Sequence, residues 1–378
     1  MIGIFKIALK LLINDRAKFT ALVVGITFAI FLIVQLTSIF AGILSKASAN
    51  VINIGARIWV MDPSVNNPLN TIPLPDYVLD AVRSMDGVKY AVPLYSGIGL
   101  VRLESGTYQP STVLGLDDST LLGRPELIEG NIEDIYGENA FIVVMDQEYA
   151  KLEKPVIGTT FEVNDHRGLI VGIAKVTTSG LFGIPSLYTT FNRALQYLPN
   201  TRFTIANVLV EPKSEADIPR IKDQIAKLGY LGLTDREFEE RTAHFYIFQT
   251  GAGVNILMMM LIGFLVGLSI SGQTFYTFVL ENLDKFGALK AIGAKNSELV
   301  HMILFQTSFA SFVGYGLGVG CSAVLIFLGK KYVPSYTADL GFWNVGLAFI
   351  MVLIIAGVSS LLAIRKVIRV QPFEILRG

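Results

Sequence analysis

Four stretches of the chain contain no Asp, Glu, Lys or Arg over a length that can cross a bilayer: Phe19–Leu44, Gly251–Leu280, Leu299–Gly329 and Leu340–Ile364. About twenty residues at ~1.5 Å each span the ~30 Å hydrocarbon core. In lipid a backbone amide must find its partner within its own segment, so each run is expected to be a helix. The second and third are longer than required and are expected to tilt or to project past the membrane surface. The first has the flanks of a cleavable signal, with Lys6, Lys10, Arg16 and Lys18 before it and Ala47-Ser48-Ala49 after it. Its 26 residues exceed the ~7–15 of a signal core, so it reads as a retained helix.

Between the first and second runs the pattern changes. Ala56–Met61, Val88–Val92, Gly97–Leu103, Ser111–Leu116, Ala140–Met145, Thr160–Val163, Gly168–Ile173 and Ile205–Val210 are short and rich in Val, Ile and Tyr, with turn residues such as Asp62-Pro63 and Asp117-Asp118 between them. These read as strands. Asp76–Met85 and Ser214–Leu228 have helical spacing with an acidic start. Asp235–Tyr246 is polar and helix-compatible, and it predicts one long helix continuing into the second membrane run. The fold class is an α-helical membrane protein with four transmembrane helices, split one plus three around a large α+β domain of two lobes. The expected boundaries are an amphipathic helix over 1–18, membrane helices over 19–44, 251–280, 299–329 and 340–364, the α+β domain over 45–250, loops over 281–298 and 330–339, and a tail over 365–378.

Charge orients this plan. Lys6, Lys10, Arg16 and Lys18 precede the first run, Arg365, Lys366, Arg369 and Arg377 follow the last, and Lys285, Lys290 and Lys295 lie in the 281–298 loop. The positive-inside rule places both termini and that loop in the cytoplasm and the 45–250 domain outside it. Hydrophobic residues make up 52% of the chain and charged ones only 16%, against ~25% charged in soluble domains. A formal net charge of zero leaves no basic footprint for nucleic acid. The single cysteine, Cys321, excludes an internal disulfide and is expected to pack between helices.

The search for chemistry is largely negative. No H-E-x-x-H, G-x-S-x-G or Cys/His metal spacing occurs, and no G-x-x-x-x-G-K-[ST] nucleotide loop. No cofactor, metal or catalytic residue is expected, and the chain reads as non-enzymatic. His166 falls in Asn164-Asp165-His166-Arg167-Gly168, which reads as a hairpin turn. Glu239, Glu240, Arg241 and His244 read as a solvated helix face with local ion pairs, with a metal or proton site as the alternative. No membrane run carries a central acid or base, which disfavours an ion-coupled carrier. Gly263 and Gly267, and Gly314 and Gly318 among alternating Gly316 and Gly320, offer slim faces for close helix packing within the chain or at a dimer seam.

The informative stretch is Glu281–Lys295, ENLDKFGALKAIGAK. Leu283, Phe286, Leu289 and Ile292 recur every third residue and predict one apolar flank of a helix. Glu281 and Lys285 form an i,i+4 pair, and Gly293 supplies a stop. Gly287, Ala288 and Ala291 keep the surface slim beside a protruding Phe286. That shape suits insertion into a cleft on a partner, or an interfacial helix lying on lipid headgroups.

Glu281 to Ala294 resembles the hallmark of the FtsX/MacB-like permease superfamily of ABC transporters. The Val370–Arg377 ending is similar to that family's Pro-x-Glu-x-Leu-Arg. Leu11–Phe19 and Ile58–Pro63 resemble the DevC-type subgroup, whose permeases carry no fused ATPase. The resemblance implies a half-transporter in the bacterial inner membrane that pairs with a second copy as a homodimer. It also implies a separate cytoplasmic ATPase subunit, with a periplasmic membrane-fusion adaptor and an outer-membrane channel as further partners. The implied ATPase-coupling residues are Glu281, Lys285, Phe286, Gly287, Leu289, Lys290, Ile292 and Gly293. The implied activity is export or extrusion of a substrate on the outer side of the membrane, driven by mechanotransmission. An FtsX-like regulator of a cell-wall hydrolase, a lipoprotein-releasing subunit and an ATPase-independent sensor stay open.

Overall fold

A computed structural model of the chain describes residues 2–198, 205–333 and 335–369. The chain order begins with helices α1 (Ile2–Asn14), α2 (Arg16–Ala47) and α3 (Ala49–Ile54), then strand β1 (Ile58–Met61) and α4 (Asp76–Arg83). Strands β2 (Val88–Arg102), β3 (Tyr108–Leu116), β4 (Glu126–Gly130), β5 (Ala140–Val144), β6 (Thr160–Val163), β7 (His166–Lys175) and β8 (Ser186–Thr190) follow. Next come α5 (Phe191–Tyr197), β9 (Asn207–Pro212), α6 (Ile218–Lys227), β10 (Leu231–Leu233) and α7 (Asp235–His244). The chain closes with α8 (Ala252–Glu281), α9 (Leu283–Ala291), α10 (Asn296–Tyr332) and α11 (Phe342–Ile368). It divides into a helical unit, formed by residues up to 42, 253–333 and from 338 onward, and an outer unit over 43–252 that includes 335–337.

The helical unit holds the membrane-length parts of α2, α8, α10 and α11, each apolar and long enough to cross a bilayer. Asp15 separates α1 from α2: its Oδ1 accepts the Lys18 backbone N–H at 3.3 Å and so caps the second helix. Leu12, Ile26, Ile30 and Ile33 form the core with Phe275, Phe278, Phe286 and Ile303. The amide of Gln306, buried on α10, donates to the Ala8 carbonyl at 2.8 Å and ties α1 to the bundle. Cys321 is exposed on α10 and does not pack between helices. Its neighbour Ser322 takes the inward position and donates to the Phe31 carbonyl at 3.3 Å.

Among the described residues the outer unit is one ten-stranded sheet built as two lobes. In the first, strands lie in the order β10-β1-β9-β2, antiparallel throughout, with α4 and α6 as crossovers. That interleaving is the β-α-β-β-α-β ferredoxin-like arrangement. Alternation sorts its side chains. Ile58, Val60, Val208 and Val210 face α4 and α6, while Trp59, Met61 and Leu209 face Val51, Ile54 and Phe238 of α3 and α7. The second lobe, β3 to β8, is inserted between β2 and β9. Its strands run β2-β3-β8-β5-β7-β6 and return to β2 through Val101↔Val163, so they close a ring.

Several elements differ from the sequence expectation. The two segments 88–92 and 97–103 are one strand, β2, with Pro93 inside it. The strand changes partner at that point, pairing with β9 up to Leu94 and with β3 from Tyr95. Strands β4, β8 and β10 and helices α3 and α5 have no counterpart in the sequence reading. β4 is an exposed acidic strand and β8 is rich in hydroxyls, so neither shows apolar alternation. The helix expected from Ser214 starts as a 3₁₀ turn over Glu215–Asp217 and becomes α only at Ile218.

The continuous helix expected from Asp235 into the second membrane run is also corrected. α7 passes into a π-turn over Phe245–Gln249, and Gly251 adopts a left-handed φ of +73°. Thr250 ends the first helix by donating to the Tyr246 carbonyl and opens the next by accepting from the Ala252 N–H. The 164–168 stretch is a hairpin, as its sequence suggests. Asn164 and Asp165 both have positive φ, and Val163 pairs with His166.

Candidate coupling site

Residues 282–295 join α8 to α10 through the short helix α9. The Asn282 side chain is buried and donates to the Phe278 carbonyl at 2.7 Å, while its Oδ1 accepts from the Lys285 ammonium at 2.8 Å. α9 stops in a Schellman turn. Gly293 donates to the Lys290 carbonyl and Ala294 to the Leu289 carbonyl, with Gly293 at φ +105°. α10 then starts with Glu298 reaching back to the Lys295 N–H at 2.8 Å. The connection over 282–295 is thus fixed at both ends by its own polar and backbone groups.

The sequence-predicted residues divide between two surroundings. Phe286 does not protrude: it is 0% exposed and belongs to the helical core with Leu12, Leu299 and Ile303. Gly287 is buried beside it. Leu283 and Leu289 pack partly against the same core. Ile292 is 85% exposed. Steps of three on a helix with 3.6 residues per turn drift by about 60° each, so the spacing from Leu283 to Ile292 accumulates about half a turn. The outward face comprises Asp284, Ala288, Ala291 and Ile292.

The charges differ from the expected local pair. Glu281 forms an ion pair with Lys18 on α2, and Lys18 also pairs with Asp15 at 3.1 Å. Lys285 turns to Asn282 instead. The Lys290 ammonium donates to the Ile368 carbonyl at 3.1 Å, near the end of α11. At this end of the bundle α2 is therefore tied to the end of α8, and α9 to the end of α11. The similarity noted for Val370–Arg377 lies outside the described residues.

The packing glycines face α2. A Cβ on Gly314 would come within 2.7 Å of Ile26, and one on Gly318 within 2.9 Å of Ile30 and of the Thr27 carbonyl oxygen. Gly263 faces Leu32, and Gly267 lies against Ala29. Gly25 of α2 faces Ile270 of α8, a contact absent from the sequence reading. Gly316 and Gly320 face open space, so only one of the two overlapping glycine spacings makes a helix contact within the chain. Among the described residues no group of His, Cys, Asp and Glu is arranged to hold a metal. On α7, Arg236 and Glu240 pair at 3.3 Å, and Arg241 donates to the Pro63 and Val65 carbonyls.

Comparison with known proteins defines the class. A family model described as MacB-like periplasmic core domain matches residues 20–228, more than half of the chain, and one described as FtsX-like permease C-terminal matches residues 257–372. The putative hemin transport system permease protein HrtB of Staphylococcus epidermidis is 22% identical over 280 residues, covering 68% of this chain and 74% of that protein. The macrolide export ATP-binding/permease protein MacB of Salmonella paratyphi A is 20% identical over 263 residues, 63% of this chain and 38% of that protein. The crystal structure of the periplasmic region of MacB from Actinobacillus actinomycetemcomitans aligns with a TM-score of 0.39 at 10% identity, over 50% of this chain and 93% of that one.

The chain is a multi-pass membrane protein with an extracytoplasmic domain, an ABC transporter permease by class. It belongs to the FtsX/MacB-like family and carries a MacB-like periplasmic core domain. Permeases of this family are typically non-catalytic membrane subunits, and membership implies an ATPase partner.

Proposed function

We propose that this chain is the membrane subunit of a mechanotransmission transporter that couples ATP hydrolysis by a separate ATPase subunit, in the DevC manner, to extrusion of a substrate on the outer side of the bacterial inner membrane. The resemblance of Leu11–Phe19 and Ile58–Pro63 to DevC-type permeases supports an ATPase supplied by another polypeptide. The single observation that carries the reading is the divided character of α9. Its outward face is slim, with Ala288 and Ala291 beside a fully projecting Ile292, while its inward face is anchored by Phe286 and Asn282. A partner pressing on that face meets a wedge that cannot slide without moving the helices behind it.

In this reading 281–298 and both termini are cytoplasmic. Ile292 and Gly293 form the contact together with Ala288 and Ala291, and Glu281, Lys285, Phe286, Gly287, Leu289 and Lys290 hold it in place. A second copy completes the transporter, and a periplasmic adaptor and outer-membrane channel receive the substrate. The similarity to HrtB and MacB supports export over purely regulatory signalling. Replacing Ile292 with Asp tests the contact, because the side chain is exposed and the fold does not depend on it. Co-purification of the ATPase should fall at least tenfold while the yield of folded permease is unchanged. Undiminished co-purification would refute the assignment.

A further inference from the structure

In the outer unit Glu148 is a fully buried carboxylate, 0% exposed at its side chain. Its Oε2 accepts from the Lys151 ammonium at 2.8 Å and from the Ser335 hydroxyl at 2.7 Å. Lys151 also donates to the Gly183 carbonyl at 2.6 Å and to the Ser335 Oγ at 2.8 Å. These atoms leave no spare room: a Cβ built on Gly183, whose φ is +65°, would collide with Ser335, Lys151 and Glu148 at once. Charge-assisted hydrogen bonds inside a buried site are the strong kind. The loop that presents Gly183 is held from its other end. Asn53 of α3 accepts from the Thr177 and Thr178 N–H groups at 3.1 Å each and donates to the Thr178 carbonyl at 2.8 Å. Lys46, at the end of α2, reaches Gln147 at 3.4 Å.

Ser335 is the outlier in this cluster. It lies between α10 and α11 in sequence, yet 335–337 groups with the outer unit. We propose that Glu148 and Lys151 are positioning residues that tether the segment between α10 and α11 into the outer unit, so that it moves with that unit as one rigid link. The path from the end of α2 through α3, Asn53, the 177–183 loop and Lys151 to Ser335 then joins the α2 end of the chain to the α10–α11 connection. The inference rests on ATP-driven coupling only for its purpose, since the link itself is a property of the chain alone.

The test has two arms on the full chain in lipid nanodiscs, using Ser335→Ala, Lys151→Met and Gly183→Ala. In the chain without ATPase, amide hydrogen exchange of 335–337 should be at least tenfold slower than in each variant. No change in all three variants overturns the tether. In the complex with its ATPase, trapping with ATP and vanadate should alter exchange in the outer unit. The variants should lose at least four-fifths of that alteration while ATPase co-purification and basal hydrolysis persist. A full-sized alteration in the variants overturns the tether as well. If the unaltered complex shows no alteration while the first arm succeeds, the coupling reading has failed and the link stands.

Discussion

Phe286 and Ile292 sit on one short segment and answer to different surroundings. Phe286→Ala removes a ring from a packed core and is expected to cost about 3–5 kcal/mol, whereas Ile292→Ala should leave thermal unfolding of the chain unchanged. A lowered midpoint for the second but not the first would invert the assignment of faces. Asp146 offers a pH test. Burial, and to a lesser degree the charge of Glu148, raise its carboxyl above the ordinary value, against hydrogen bonds from the Glu148 N–H and Ser179 and the charge of Lys46. A group with a raised folded pKa contributes stability that is full below its unfolded value and lost as pH rises through the folded one. Asp146→Asn keeps an oxygen for the Glu148 N–H. It should therefore melt higher than the parent at pH 8 and level with it at pH 4. At this scale the sequence marked 283–291 as helical but misplaced Phe286. Apolar spacing reports that a flank exists; which way it turns is decided by neighbours such as Leu12 and Ile303, far away in the chain.

Helices and strands show a similar division. The four membrane runs were legible because lipid imposes one rule on every residue in them. The glycine contacts were legible only as a spacing, and their partners Ile26, Ala29 and Ile30 on α2 came from the structure. Leu at Gly318 should overpack the α2 contact at a cost of about 1–3 kcal/mol, while Leu at Gly316, which faces open space, should be near neutral. Equal losses in a detergent unfolding series would argue against the contact. The start of α7 is fixed by Thr234, whose hydroxyl accepts the Glu237 N–H at 3.3 Å while Glu237 reaches back to the Thr234 N–H at 2.9 Å. Thr234→Ala should cost about 1 kcal/mol, read as a lower melting midpoint. The end of that helix was not legible, because a π-turn and a left-handed glycine leave a polar-to-apolar pattern that reads as continuous. Strand β2 escaped for a related reason: Pro93 marks a break in most strands, but here it falls where the strand exchanges β9 for β3.

For the molecule as a whole, sharing β2 makes the two lobes one cooperative body. Scanning calorimetry of the reconstituted protein should show a single transition for the outer unit, and two resolved transitions would mean that the lobes fold separately. Insertion of the ring between the second and third strands of the ferredoxin-like lobe was invisible in sequence. Closure depends on pairing Val101 with Val163 and Arg102 with Glu162, contacts between positions distant in the chain. That closure has a consequence for crowding at the membrane surface. Strand edges are templates on which other chains polymerise, and the ring has none to offer. The ends of the sheet path are β10, three residues long, and β4, which is irregular and carries Glu126 and Glu129. A protein gathering beside many copies of itself is thereby guarded against fibre formation, and whatever docks on it must read side chains and loops instead of bare backbone.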